Sequence, residues 1–203
     1  MRTDWIGLFA AAAVSFPAAV LNAGAPADEA APGYTDSGQL KFPANFRTWV
    51  YLTTGFNMSY VATSSNSDTF DNVFVNPTAY AAFLATGTWP DKTVLVLEAR
   101  RGVPKSSIDR TGASQGGRVG LEVHVKDVGR FKGGWAFFDF AGDGPGQLLP
   151  QTLSCYTCHA EHAAVDTTFV QFYPTLKPIA AQHHTLSAAY LADEAVAHLG
   201  AAH

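Results

Sequence analysis

The chain has 203 residues, enough for one domain with short extensions. Hydrophobic residues make up 47% and charged residues 15%, which allows a real core and excludes a disordered chain. A net charge of -4 gives no electrostatic reason to expect nucleic acid or an anionic membrane as a partner.

The first element, Trp5 to Leu21, is apolar and Ala-rich and carries Pro17. At roughly 17 residues it nearly spans a bilayer, so a permanent anchor and a cleaved export signal compete. Small-residue cleavage patterns follow at Ala23-Gly24-Ala25 and Ala25-Pro26-Ala27. Cutting at the first leaves Pro26 at the new amino terminus, a poor substrate, so residues 1–27 are expected to leave after Ala27. Residues 28–39 then read as a linker, and no later stretch is long and apolar enough to span, so the mature chain is expected to be soluble.

Phe46 to Thr54 and Phe70 to Val75 read as strands, separated by a polar turn at Thr63 to Asp68. Asn76-Pro77 opens a helix with Asn as N-cap, Tyr80, Phe83 and Leu84 form its apolar face, and Gly87 closes it. Thr93 to Ala99 alternates as a third strand, and Gly102 to Gly117 reads as a long polar loop. Val119 to Lys126 and Trp135 to Ala141 are two further strands. The loop Gly142 to Pro150 precedes a short helix, and residues 181–203 form an Ala/His-rich tail, helical or loosely held. Five strands without regular strand–helix alternation predict an α+β fold, mainly antiparallel sheet, with the cysteine-bearing helix near the C-terminus.

That helix holds both cysteines, in Cys155-Tyr156-Thr157-Cys158-His159. C-x-x-C-H is the spacing of covalent c-type haem attachment: two thiols one helical turn apart meet two vinyl groups, and the adjoining His lies under the iron. A redox pair, half of a zinc site that lacks a second cysteine pair but has His162 nearby as a further ligand, and a plain disulfide are rival readings. A redox pair usually follows a strand and opens a long helix, whereas Leu148-Leu149-Pro150 precedes this motif. The expected anchors are therefore Cys155 and Cys158 of one covalent haem c, with His159 as proximal iron ligand.

No Met follows His159, and Met58 lies far upstream. His162 is one turn past His159 on the same helix and cannot cross to the opposite face. His183, His184, His198 and His203 lie in the tail, and His124 alternates with Glu122 and Lys126 on what reads as a solvent face. The expectation is a five-coordinate iron open to small ligands.

With these residues the chain resembles the cytochrome P-460 family and its non-cross-linked relatives, the beta-type cytochromes c prime. The likeness rests on Phe74-Val75-Asn76-Pro77 with Tyr80, on Gly120-Leu121-Glu122 through Val125-Lys126-Asp127, and on Gly134-Trp135-Ala136-Phe137-Phe138. It also rests on the haem segment running on to Phe169 and Phe172-Tyr173-Pro174, and it covers about Leu40 to Lys177. The resemblance implies a mono-haem periplasmic domain, placed here at 40–180, mainly β and usually a homodimer. It implies a small gaseous or nitrogenous ligand such as nitric oxide. The alternatives are a hydroxylamine or nitric oxide oxidoreductase that passes electrons to a soluble cytochrome, and a plain electron carrier.

The hydroxylamine-oxidising members carry a haem-bonded lysine just before a Glu on the strand after the Asn-Pro helix. Here that position is Leu97, before Glu98, so the resemblance points to the ligand-binding branch. Lys92 reads as a loop lysine, and Arg100-Arg101 as a solvated strand end. Gly112 to Gly120 lacks the Lys-Ser/Thr ending of a phosphate loop. Glu98 and Glu122 read as surface carboxylates, with proton acceptance near the haem as the functional alternative. Leu97, Phe56, Phe74 and Phe83 are the candidate distal-pocket residues.

Overall fold

A computed structural model describes residues 31–58 and 68–200. The expected signal segment, and the polar turn apart from Asp68, fall outside those residues. Six strands form one antiparallel sheet in plain sequence order: β1 (Val50–Phe56), β2 (Thr69–Val75), β3 (Val94–Pro104), β4 (Ala113–Lys126), β5 (Trp135–Asp139) and β6 (Gln147–Leu148). Four helices accompany it: α1 (Pro77–Thr86), α2 (Ser154–His162), α3 (Lys177–Gln182) and α4 (Ala188–Gly200). The fold is α+β.

Both faces of the central strands are covered. On one, Val94 and Val96 of β3, Val123 and Val125 of β4 and Phe138 of β5 pack with Leu40, Phe46 and Trp49 of the N-terminal segment. On the other, Val75, Leu95 and Trp135 pack with Phe83 of α1, Leu176 and Ala180 near α3, and Tyr190 of α4. Double coverage explains the unbroken apolar runs Val94–Val96 and Trp135–Phe138, since strands buried on both sides lose polar alternation.

Helix α1 begins and ends at the residues its sequence signals named. Pro77 occupies the first turn, and Gly87 closes the helix in the left-handed region at φ 70° with its N–H on the Phe83 carbonyl. Asn76 does not cap with its side chain. Its Oδ1 accepts from the Val94 N–H at 2.8 Å, tying the helix start to β3. Phe83 is fully buried against Trp89, while Leu84 faces solvent. Phe83→Ala is therefore expected to cost about 3–5 kcal/mol of folding stability, read from the denaturation midpoint.

Three readings need correction. Half of the stretch read as a loop from Gly102 to Gly117 is the end of β3 and the start of β4, paired from Gly102↔Gln115 to Pro104↔Ala113. The loop before the cysteine helix contains β6, a sixth strand. Glu98 is not at the surface: it is 1% exposed and ion-paired to Arg47 and, at 3.0 Å, to Arg100. Burial of a carboxylate demands such partners, so Arg100 is not merely a solvated strand end.

Candidate haem site

The pairing Val73↔Leu97↔Glu122↔Asp139 runs across β2 to β5 and sets one face of the sheet. Thr53, Asp71, Val73, Leu95, Leu97 and Glu122 on that face line a cavity of about 290 Å³. Its other side is lined by Cys155, Cys158 and His159 of α2 and by Phe169, Phe172 and Tyr173. A helical turn brings residues i, i+3 and i+4 to one face, so the three motif residues reach the same space.

Helix α2 is anchored by Tyr156, whose hydroxyl accepts from the Phe137 N–H and donates to the Leu149 carbonyl, each at 3.1 Å. Yet none of its residues is fully buried, and Cys155 and Cys158 form no disulfide with each other. Burial raises the Cys158 thiol pKa, with Glu161 and Cys155 adding to it, the opposite of an activated redox cysteine. Among the described residues, no three His, Cys, Asp or Glu side chains are placed to hold a metal ion together.

The His159 ring lies between Phe137, at 4.6 Å between centroids, and Phe169, at 4.2 Å. Its Nδ1 is 2.7 Å from the Thr167 carbonyl. A carbonyl can only accept, so Nδ1 carries the proton and Nε2 keeps its lone pair for a metal. Burial lowers the His159 pKa, and the Thr167 bond partly offsets that. Thr167 sits in a tight turn closed by the Val165↔Thr168 bridge. Trp89 Nε1 donates to Thr168 Oγ1 at 2.7 Å, and Lys126 pairs with Asp166 at 3.0 Å, which hold the turn in place.

The cavity residues fit a haem: two thiols and a pre-oriented imidazole face one largely apolar space, on a helix that buries no residue of its own. Leu97 lines this cavity. The other three candidates do not. Phe56 is 48% exposed and packs on Phe70, and Phe74 lies on the opposite face of the sheet against Phe46. Phe83 belongs to the core beneath α1. Register parity separates them, because Phe74 pairs with Val96 and not with the Leu97 row.

Other residues were misplaced or missed by sequence reasoning. His124 is 7% exposed, not on a solvent face: it stacks on Phe137 at 3.9 Å, and its ring centroid is 5.3 Å from that of His159. Burial, then the nearby His159, hold its pKa well below the usual imidazole range. Glu122 lines the cavity, and burial raises its pKa, with Asp139 and Asp71 adding to the effect; Asp71 is raised by burial alone. Met58, far upstream of the motif in sequence and 38% exposed, also reaches the cavity. Asn57 makes the return, with φ at 51° and hydrogen bonds to Asp68 and Thr69. The bare Gly55 accepts the thioether, since a Cβ there would lie 2.3 Å from Met58 Sδ.

No lysine lines the cavity among the described residues. Lys92 lies at a turn and pairs with Asp127 at 2.5 Å. No curated protein matches the chain. A family model described as Cytochrome P460 matches residues 43–170, from the segment before β1 to the 3-10 turn that follows Phe169, and so takes in the sheet, α2 and His159. With more than half its length matched, and its cavity suited to the cofactor such members carry, the chain belongs to the cytochrome P460 family of haem proteins.

Proposed function

We propose that this is an exported mono-haem c-type cytochrome that binds nitric oxide or a similarly small ligand at a five-coordinate iron. Cys155 and Cys158 are its thioether anchors and His159 its proximal ligand. When bound, the haem supplies an iron site that takes up small diatomic or nitrogenous molecules. The protein's residues do the rest. Thr167 keeps the His159 proton on Nδ1, and Phe137 and Phe169 hold the ring between them. Leu97, Val73 and Leu95 give the facing wall an aliphatic surface that disfavours water and charged ligands. Asp71 and Glu122, held toward their neutral forms by burial, are the groups that would give or take a proton.

The observation that carries the reading is the oriented His159, with His124, the other imidazole that lines the cavity among the described residues, engaged at Nε2 by Thr167. His124 makes its contact with Thr167 at Nε2, beside the His159 Nδ1 bond, and so stands behind the proximal ring. Export to the periplasm draws support from the Trp5–Leu21 segment, and a homodimer and a soluble cytochrome partner from the family resemblance. The electron carrier is the rival with an observation of its own, because the Met58 thioether reaches the cavity.

The visible spectrum of purified ferrous protein, with and without nitric oxide, tests the choice. A high-spin spectrum that changes fully on adding nitric oxide is expected. A low-spin spectrum indifferent to nitric oxide, turned high-spin by Met58→Leu, would establish the carrier instead.

A further inference from the structure

We propose that His124 is a positioning residue for His159, acting through Thr167. The inference rests on the haem-ligand reading of His159 and extends it to the residues behind the ring. Three contacts carry it. The Thr167 carbonyl receives the His159 Nδ1 proton at 2.7 Å. The Thr167 hydroxyl lies 3.3 Å from His124 Nε2. The His124 ring meets the His159 ring near-perpendicularly, at 78°, while stacked on Phe137 at 12°. One threonine thus joins the two imidazoles, by its backbone to one and its side chain to the other.

The arrangement has a chemical consequence. A short Nδ1–H···O=C bond increases the electron-donating power of the imidazole at Nε2, and partners of a metal-ligating His tune its metal in this way. His124 serves that bond twice over: it fixes the Thr167 side chain, and its ring limits rotation of His159 about Cβ–Cγ. A backbone carbonyl in a four-residue turn holds its direction only if the turn holds. Trp89 and Lys126 secure the flanking residues Thr168 and Asp166, and His124 secures Thr167 itself. The burial of an imidazole on a β-strand has a local reason here, since its ring nitrogen finds a partner at Thr167.

The test uses the ferrous holoprotein without added ligand, read by the iron–histidine stretching band in resonance Raman spectra and by the midpoint potential. His124→Phe keeps the ring and its stack on Phe137 but removes Nε2, and Thr167→Val keeps the carbonyl but removes the hydroxyl. Each is expected to shift the band to lower frequency and the potential upward. The double variant is expected to shift neither much further, because the two residues act in one chain. His124→Gln, which returns an amide to the Thr167 hydroxyl, is expected to recover part of the shift. A wild-type band and potential in either holoprotein variant would overturn the proposal, as would simple additivity. Thr167→Val decides the matter alone where His124→Phe does not fold. If instead the band survives His159→Ala, the haem-ligand reading itself fails; a band that needs His159 but ignores His124 and Thr167 sinks only this proposal.

Discussion

Replacing both thiols, Cys155→Ser together with Cys158→Ser, is expected to abolish covalently retained haem, and either change alone to leave one bond. A thioether forms when S–H adds across a vinyl double bond, and the serine hydroxyl is too weak a nucleophile to replace it. The effect is all-or-none because the chain has no other cysteine. It is also separable from folding. Neither cysteine is fully buried, and α2 is held by Tyr156 to Phe137 and Leu149, so the fold is expected to lose about 1 kcal/mol or less. The measurement is haem remaining with the denatured chain after acid-acetone extraction, supported by intact mass. His159 and the cavity walls survive the double change, so haem that is bound but fully extractable is the expected result. Complete extraction of haem from the unmodified protein would remove the covalent assignment altogether.

The second large effect concerns Leu97. Its side chain lines the cavity between Val73 and Glu122, and the family resemblance matches this position to the haem-bonded lysine of the hydroxylamine-oxidising members. A leucine methyl forms no carbon–nitrogen bond, and no lysine elsewhere lines the cavity among the described residues. The mature mass is therefore expected to equal the chain plus one unmodified haem, and proteolysis to release a haem peptide containing Cys155 to His159 alone. A haem peptide that also carries a lysine fragment would reverse the branch and make hydroxylamine oxidation the leading function. Leu97→Lys places an amine within this apolar space, where desolvation lowers its pKa and favours the nucleophilic neutral form. With an oxidant present, a fraction of that variant is expected to gain a third bond to the haem, seen as a two-site haem peptide.

The helix and strand framework was legible because its signals act over a few residues. Asn76-Pro77 and Gly87 bound α1 through fixed φ, a missing N–H and a left-handed closing residue, none of which depends on distant chain. The C-x-x-C-H spacing placed Cys155, Cys158 and His159 on one helical face for the same local reason. Leu97 was legible too, since alternation along β3 sets it beside Leu95 and Ala99. Tertiary structure decided the rest. The parity that puts Glu122 and His124 together on one face of β4 was correct, but only α2 and the segment after it turn that face into a cavity wall. His124 is buried by residues far along the chain, Phe137, His159 and Thr167, and no window around it records them. Phe74 and Phe83 are equally apolar, yet strand parity sends one to the opposite sheet face and helix packing sends the other into the core. Gly116 and Gly117 look like a loop until pairing with β3 draws their segment into β4, because hydrogen bonds to a neighbouring strand outweigh a weak local preference. Local geometry thus determined which residues carry the cofactor chemistry, while long-range packing selected the residues that surround it.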